Sequence, residues 1–314
     1  MNLTDKRFQD VDEARKWLEA QRWPHGPYCP HCGNSDPEQI TAIPANSKAK
    51  IRAGLYQCNE CREQFTVTVG TVMERSKIPL NKWVAAMYLM SAGKKGTSAH
   101  QLHRTLGITY QSAWFLAHRI RLAMKATHKE PLGGAGKIVE ADETYYGNKD
   151  VVKPTKKGRI GSRSKRAVLA LVERGGSVRS FHVKEATADQ VNNILARNVA
   201  RETTLHTDES TLYKWTGRRF AAHETVTHSM EEWVRGIVHT NTIEGYFSVF
   251  KRGMRGVYQH CGEAHLHRYL AEFDFRYNNR AALGVTDTER TQELVRGTSG
   301  KRLTYRPINK PQVS

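Results

Sequence analysis

The sequence predicts a multidomain α+β protein. It has a small N-terminal ribbon built on paired cysteines, a helical segment with a helix-turn-helix outline, and a C-terminal α/β layer with a mixed sheet. Three observations predict it. Two CxxC pairs stand near the N-terminus, separated by residues 33–57. Apolar residues then recur at helical spacing between Leu80 and Met124. Beyond a glycine-rich break at 128–137, strand-like and helical stretches alternate.

Bulk properties narrow the function. The 314 residues suffice for about two domains of roughly 150 residues each. Lys and Arg number 49 against 31 Asp and Glu, a net charge of +18 that favours a polyanionic partner. Anionic membrane is one polyanion, but no strongly amphipathic basic helix with a Trp/Leu face stands out. No run of about 18 apolar residues exists to span a bilayer. The N-terminus, MNLTDKRFQDVDEARKWLEA, carries charge where a signal peptide needs an apolar core, so an intracellular protein is expected.

Four of the five cysteines form CPHC (Cys29, Cys32) and CNEC (Cys58, Cys61). Such paired thiolates grip one tetrahedral zinc from a knuckle turn, and two knuckles close a four-sulfur site with no open coordination position. The Zn²⁺ is therefore expected to be structural. Disulfides are disfavoured without a secretion signal. A redox CxxC fits less well with pairs flanked by Pro30, Gly33, Asn59 and Arg62. His31 is a spectator and Cys261 an ordinary free thiol. Stretches 39–44 and 55–57 read as short strands, and 65–69 alternates apolar and Thr residues. Residues 11–21 read as a helix with Ala14, Trp17 and Leu18 on one face. So small a ribbon draws much of its folding energy from the metal. This module takes residues 1–72.

Residues 73–130 read as helical. The stretch 80–92 is apolar at helical spacing and ends at Gly93. Ser98 can cap a helix carrying Ala99, Leu102 and Leu106, and Gly107 ends it. Thr109 can cap the next, whose Ala113, Ala117, Ile120 and Met124 fall on one face. Short helix, glycine turn and longer helix make the helix-turn-helix outline. Its exposed positions are expected to include Ser112, His118, and Gln111, Arg119 and Arg121, the last three as DNA contacts. An ordinary helical hairpin is the alternative.

Pro131 and three glycines then mark a boundary. Residues 138–142 read as a strand that Asp142 closes. A hairpin follows, with 166–172 and 178–183 turning at 174–177. Residues 187–200 read as a helix, 204–207 and 223–227 as strands, and 241–252 and 263–280 as helices. This order makes an α/β layer with a mixed sheet over 137–285. Residues 286–314 are expected to form a basic C-terminal tail.

Three carboxylates occupy telling places. Asp142 ends the first strand, Asp208 follows a later one, and Glu244 sits in the first turn of a helix. Two strand-end aspartates and a helical glutamate can hold two Mg²⁺ ions, which take oxygen ligands and clamp the attacking and leaving oxygens of an in-line phosphoryl displacement. The metals offset the repulsion among the acids. Lys251 lies almost two turns after Glu244, on the same helix face, where a cation can grip a neighbouring phosphate.

Taken together, CPHCG, YQCNECREQFTVTVGTVME, VEADETYYGNK, LHTDES and HTNTIEGYFSVFKRGMRGVYQH resemble bacterial insertion-sequence transposases of the IS1595 group, with an ISXO2-like catalytic domain. The resemblance runs from about residue 23 to residue 280. It implies a retroviral-integrase-like (RNase H-like) catalytic fold and a DDE acidic triad on Asp142, Asp208 and Glu244, with Lys251 as the trailing basic residue. Asn241, one turn before Glu244, is read as helix cap or secondary ligand. The resemblance also implies double-stranded DNA as partner, through terminal inverted repeats and target DNA. Catalytic Mg²⁺ or Mn²⁺ stands beside the structural Zn²⁺, a homo-oligomer forms on DNA, and the protein works in the bacterial cytoplasm at the nucleoid. On this reading water activated at the metals cuts the element's ends, and the freed 3′-hydroxyl attacks a target phosphodiester. Two alternatives stand beside it: a DNA-binding regulator with an inactive RNase H-like domain, and an RNase H-like nuclease without strand transfer.

Neighbouring residues carry lesser expectations. Glu140 shares the strand face of Asp142 and can support it or act as another acid, whereas Glu143 and Glu209 point away and are structural. Tyr145 and Tyr146 lack the arginines of a tyrosine recombinase. His206 alternates off the face of Asp208, and His239 and His260 are polar surface residues. The run 153–166 holds Lys156, Lys157, Arg159, Arg163, Lys165 and Arg166 and no acid, and is expected to follow a DNA backbone with steep salt dependence. Arg252 and Arg255 extend that positive surface.

Overall fold

The computed structural model describes residues 2, 4–127, 130–148 and 165–304. The chain divides into two compact units, Met1–Lys125 with Thr286–Ser314, and Ala126–Val285. Among the described residues no helix is long and apolar enough to cross a membrane.

The first unit opens with a short helix α1 (Lys6–Gln9) and α2 (Val11–Arg22), whose N-terminal N–H groups are capped by the Asp10 carboxylate. Strands β1 (Ile40–Ile43), β2 (Leu55–Cys58) and β3 (Gln64–Phe65) form an antiparallel ribbon in that order. The expected strand 65–69 is cut short, because residues after Phe65 fold into turns held by the Thr66 and Thr68 carbonyls. Trp23 presses its ring edge-on to Tyr56 at 5.4 Å and Phe65 at 5.9 Å, which gives the ribbon its small core.

Helices α3 (Leu80–Ala92), α4 (Ala99–Leu106) and α5 (Tyr110–Met124) follow. Ser98 caps α4 through the Gln101 N–H, and Thr109 caps α5 through the Ser112 N–H. Between them Gly107 adopts the left-handed φ of 58° that a helix C-terminus favours glycine for. Residues 287–296 are not part of a tail. They form α9 (Asp287–Arg296), started by a Thr286/Glu289 capping box and docked on α3, where Thr291 meets the Ser91 hydroxyl at 3.1 Å.

The second unit is a five-stranded mixed sheet in the order β6-β5-β4-β7-β8. Strands β4 (Ile138–Asn148), β5 (Lys165–Glu173) and β6 (Val178–Val183) pair antiparallel. Strands β7 (Thr204–Asp208) and β8 (Ala222–Val226) continue the sheet in parallel from β4. Alternation along β5 sorts the two faces. Val168, Ala170 and Val172 pack under α7 (Asn241–Gly253) and α8 (Leu266–Asn278), while Leu169 and Leu171 pack against α6 (Ala188–Asn198). A two-stranded hairpin, β9 (Val234–Arg235) and β10 (Val238–His239), leads into α7.

Candidate active site

The strand register brings the two aspartates together. In the parallel pair β4/β7, Glu140 stands opposite His206. Counting two residues on along each strand places Asp142 level with Asp208 on adjacent strands, on the face shared with Glu140. Asp142 pairs with Ala170, so that face is the one covered by α7 and α8. Asp142 does not close its strand. Pairing with β5 carries β4 on to Asn148, and only the pairing with β7 stops short of Asp142.

Helix α7 supplies Glu244 in its first turn. Its Oε1 accepts the Thr240 hydroxyl at 2.9 Å and lies 3.9 Å from His228 Nε2. The α7 cap position falls on Thr240 rather than Asn241, which is the first helical residue. Burial, then the charges of Asp208, Glu143 and Glu244, pushes the Asp142 carboxyl up to about 7. Burial likewise raises Asp208, with Glu209 adding to it, although Asp208 Oδ1 accepts the Ser210 N–H at 3.0 Å. The ionisation of both buried aspartates is thus opposed, and the Asp208 and Glu244 charges both bear on Asp142.

Neighbouring side chains hold the frame. Glu140 is fully buried; it accepts from the Ile243 N–H at 2.9 Å, Thr242 Oγ1 at 2.8 Å and Arg174 Nε at 2.6 Å. That arrangement commits it to support of α7, leaving it no place as another metal ligand. Arg174 also donates to the carbonyls of Ile237 (2.7 Å) and His239 (2.8 Å), tying β10 to the same point. Its guanidinium lies 3.1 Å from His206 Nδ1, so His206, two residues before Asp208, shares the face of Asp208 rather than alternating off it. On the opposite sheet face Glu143 accepts the Tyr213 hydroxyl at 2.6 Å, and burial raises its pKa. Glu209 accepts the His228 and Ser229 N–H groups at 2.6 and 3.0 Å. Tyr146 donates to the carbonyls of Met254 and Gln259, a structural role. Sequence reasoning missed His228, Thr240, Arg174 and Tyr213. The RGGS turn that holds Arg174 marked a hairpin and nothing more.

Lys251 lies further along α7 and, with Ser248, Arg252, Arg255 and Gly256, lines an open cleft. Other expected DNA contacts fare differently. Arg121 and Arg166 are buried, at 2% and 5% exposure, and cannot meet a phosphate. Helix α5 is covered by α3, α4 and α9, which also buries His118, and Arg166 donates to the Cys261 carbonyl. Arg119 is half-buried, with its guanidinium on the carbonyls of Glu74 and Leu303. Gln111 and Lys165 are exposed. Lys156, Lys157, Arg159 and Arg163 lie outside the described residues.

In the ribbon, the four cysteine sulfurs all lie within 4.8 Å of one another. Cys29 and Cys61 stand 3.6 Å apart, and Cys32 and Cys58 3.7 Å apart. A tetrahedron with metal–sulfur bonds of about 2.3 Å has edges of about 3.8 Å. The cage therefore fits one zinc ion.

Comparison with known proteins identifies two domains. Residues 131–278 match the ISXO2-like transposase domain, and residues 10–64 match the transposase zinc-ribbon domain. The chain is 28% identical over 293 residues to an uncharacterized protein in transposable element ISH50 of Halobacterium salinarum, covering 86% of this chain and 92% of that protein. The two matched domains are those of one family and together span well over half of the sequence. The chain belongs to the IS1595 family of insertion-sequence transposases, with a zinc ribbon ahead of its transposase domain.

Proposed function

We propose that this chain is a DDE-type transposase that binds the terminal inverted repeats of its element, cuts the DNA at their ends and joins the freed 3′-ends to a target. One observation carries the reading: Asp142 and Asp208 stand level on adjacent parallel strands, on the face covered by the helix that carries Glu244, and the charges of Asp208 and Glu244 act on Asp142. The sheet order, with α6 on one face and α7 and α8 on the other, agrees with the RNase H-like fold that the resemblance implies.

The three carboxylates would hold two Mg²⁺ ions, or Mn²⁺, and those ions would supply Lewis-acid stabilisation for an in-line phosphoryl displacement. The chain's own residues do the rest. Thr240 orients Glu244, and Glu140 holds the helix that carries it. Lys251, Arg252 and Arg255 grip phosphates beside the acids. The zinc ribbon and the exposed start of α5, with Gln111, read the repeat. The basic run with Lys156, Lys157, Arg159 and Arg163 follows the DNA backbone. Two ends are brought together by a homo-oligomer, at the nucleoid.

Asp142→Ala and Asp208→Ala should abolish cleavage and joining of an oligonucleotide carrying the element's end, with binding nearly intact. A variant that still joins strands in Mg²⁺ would overturn the triad.

A further inference from the structure

We propose that the apolar surface between Asp208 and Glu244 is a stacking platform for an unpaired base at the DNA end being processed, with Trp233 as its aromatic face. The inference rests on the DNA-cutting reading above.

Nine large apolar side chains are exposed among the described residues, and five of them, Trp215, Met230, Trp233, Val234 and Ile237, fall within 23 residues of sequence. These five crowd one stretch of chain between the second and third acids, whereas apolar residues exposed singly are ordinary. Its position says what it meets. The Trp233 ring packs on the His228 ring with centroids 4.6 Å apart, and His228 Nε2 lies 3.9 Å from Glu244 Oε1. Glu209, next to Asp208, holds the His228 backbone from the other side. Trp233 is thus one side chain away from the third acid while keeping 57% of its surface exposed. A phosphate seated at the acids carries its adjoining nucleotide to this ring.

Chemistry favours a base over a second protein surface. The chain carries +18 net charge, which draws nucleic acid, and every base offers a π-face to an aromatic ring. Met230 and Ile237, 79% and 70% exposed, are of the apolar kind that wedges between base steps. Two of the nearby acids are occupied: Glu232 accepts the Thr227 N–H and pairs with Arg235, which also pairs with Glu224, while Glu231 is exposed. Trp215 is a weaker candidate, because the Arg218 guanidinium already lies 4.7 Å over its ring.

The test is fluorescence anisotropy, without divalent metal, on two duplexes of one sequence, one fully paired and one with two mismatched pairs at an end. The full-length protein should prefer the frayed end by about tenfold, the scale of one base stacked on an aromatic side chain. Trp233→Ala should bind both probes alike, and Trp233→Phe should keep most of the preference. No preference in the unaltered protein, or a preference that survives Trp233→Ala, overturns the proposal. So does a Trp233→Ala variant that sediments as a smaller assembly than the unaltered protein with the preference unchanged, since a second copy would then own the surface. The parent reading fails separately, if Asp142→Ala still cuts DNA in Mg²⁺.

Discussion

The Glu140 carboxylate accepts the backbone N–H of Ile243 at 2.9 Å, so a fully buried anion sits on the N-terminal turn of the helix that carries Glu244. That turn holds the positive end of the helix dipole and free N–H groups, which an anion satisfies. Arg174, at 2.6 Å, balances the charge. Removing one member of a buried pair typically costs about 3–5 kcal/mol. Glu140→Ala should therefore lower the unfolding free energy measured in urea by that order, and should cut the cleavage rate more than it weakens DNA binding. Glu140→Gln keeps an acceptor for the Ile243 N–H but loses the charge facing Arg174, and should fall between the two. A Glu140→Ala protein with unaltered cleavage would show that α7 needs no such anchor.

Asp142 gives a pH prediction for the metal-free protein. Its folded pKa, about 7, lies above its ordinary 3.8. Below about pH 4 the group is protonated whether folded or unfolded, and costs nothing. Between about 4 and 7 the unfolded chain gives up this proton first, so folding stability declines; above 7 the cost is constant. Each tenfold change in proton affinity is worth about 1.4 kcal/mol, so the full cost is a few kcal/mol. In EDTA, Asp142→Asn should melt progressively higher than the unaltered protein as pH rises from 4 to 7, with the gap flat beyond. Added Mg²⁺ should raise the melting temperature of the unaltered protein and not of the variant. A gap that shrinks with pH would refute the burial argument.

The acids were legible in the sequence because residue type and period suffice to put aspartates at strand positions and a glutamate in a first helical turn. Their closeness was not, since it depends on the β4/β7 register. The apparent strand end at Asp142 misled because β5 pairs beyond it to Asn148. Arg121 and Arg166 carry charge at positions that local pattern leaves open, and only the packing of α5 and the two-sided burial of β5 reveal that they are inside. The α9 helix had a readable signal, the Thr286/Glu289 capping box, in a stretch that otherwise looked like a charged tail. Glu140 shows the reverse case: its carboxylate was visible, but its partners lie 34 and 103 residues away.

The cysteine cage predicts one zinc per chain, measurable by atomic emission. Cys58 is buried and Cys32 exposed, yet the two sulfurs stand 3.7 Å apart, so either should be needed. Cys58→Ser or Cys32→Ser should lower the zinc content to near zero and open 40–65 to proteolysis, because metal binding supplies the folding energy of so small a ribbon. Cys261→Ser, outside the cage, should keep its zinc. Zinc retained in Cys58→Ser would mean the cage does not bind as four sulfurs.

Arg252 and Arg255 line the cleft beside Lys251, and both are exposed. If each neutralises one phosphate, each releases condensed counterions on binding, and the slope of log K against log salt on duplex DNA changes by about 0.9 for every phosphate left without its cation. Arg252→Ala combined with Arg255→Ala should therefore make the slope shallower by about 2. The affinity loss should be largest at low salt and nearly the same for element-end and unrelated duplexes, because phosphate contacts position a protein without reading sequence. Folding should be unaffected, since among the described residues the exposed Arg252 side chain is tied only to the Ser248 carbonyl within its own helix. Arg166→Ala is the control. Its guanidinium is buried against the Cys261 carbonyl, so it should lower the melting temperature and leave the salt slope alone. A double variant with an unchanged slope would move the DNA track away from α7.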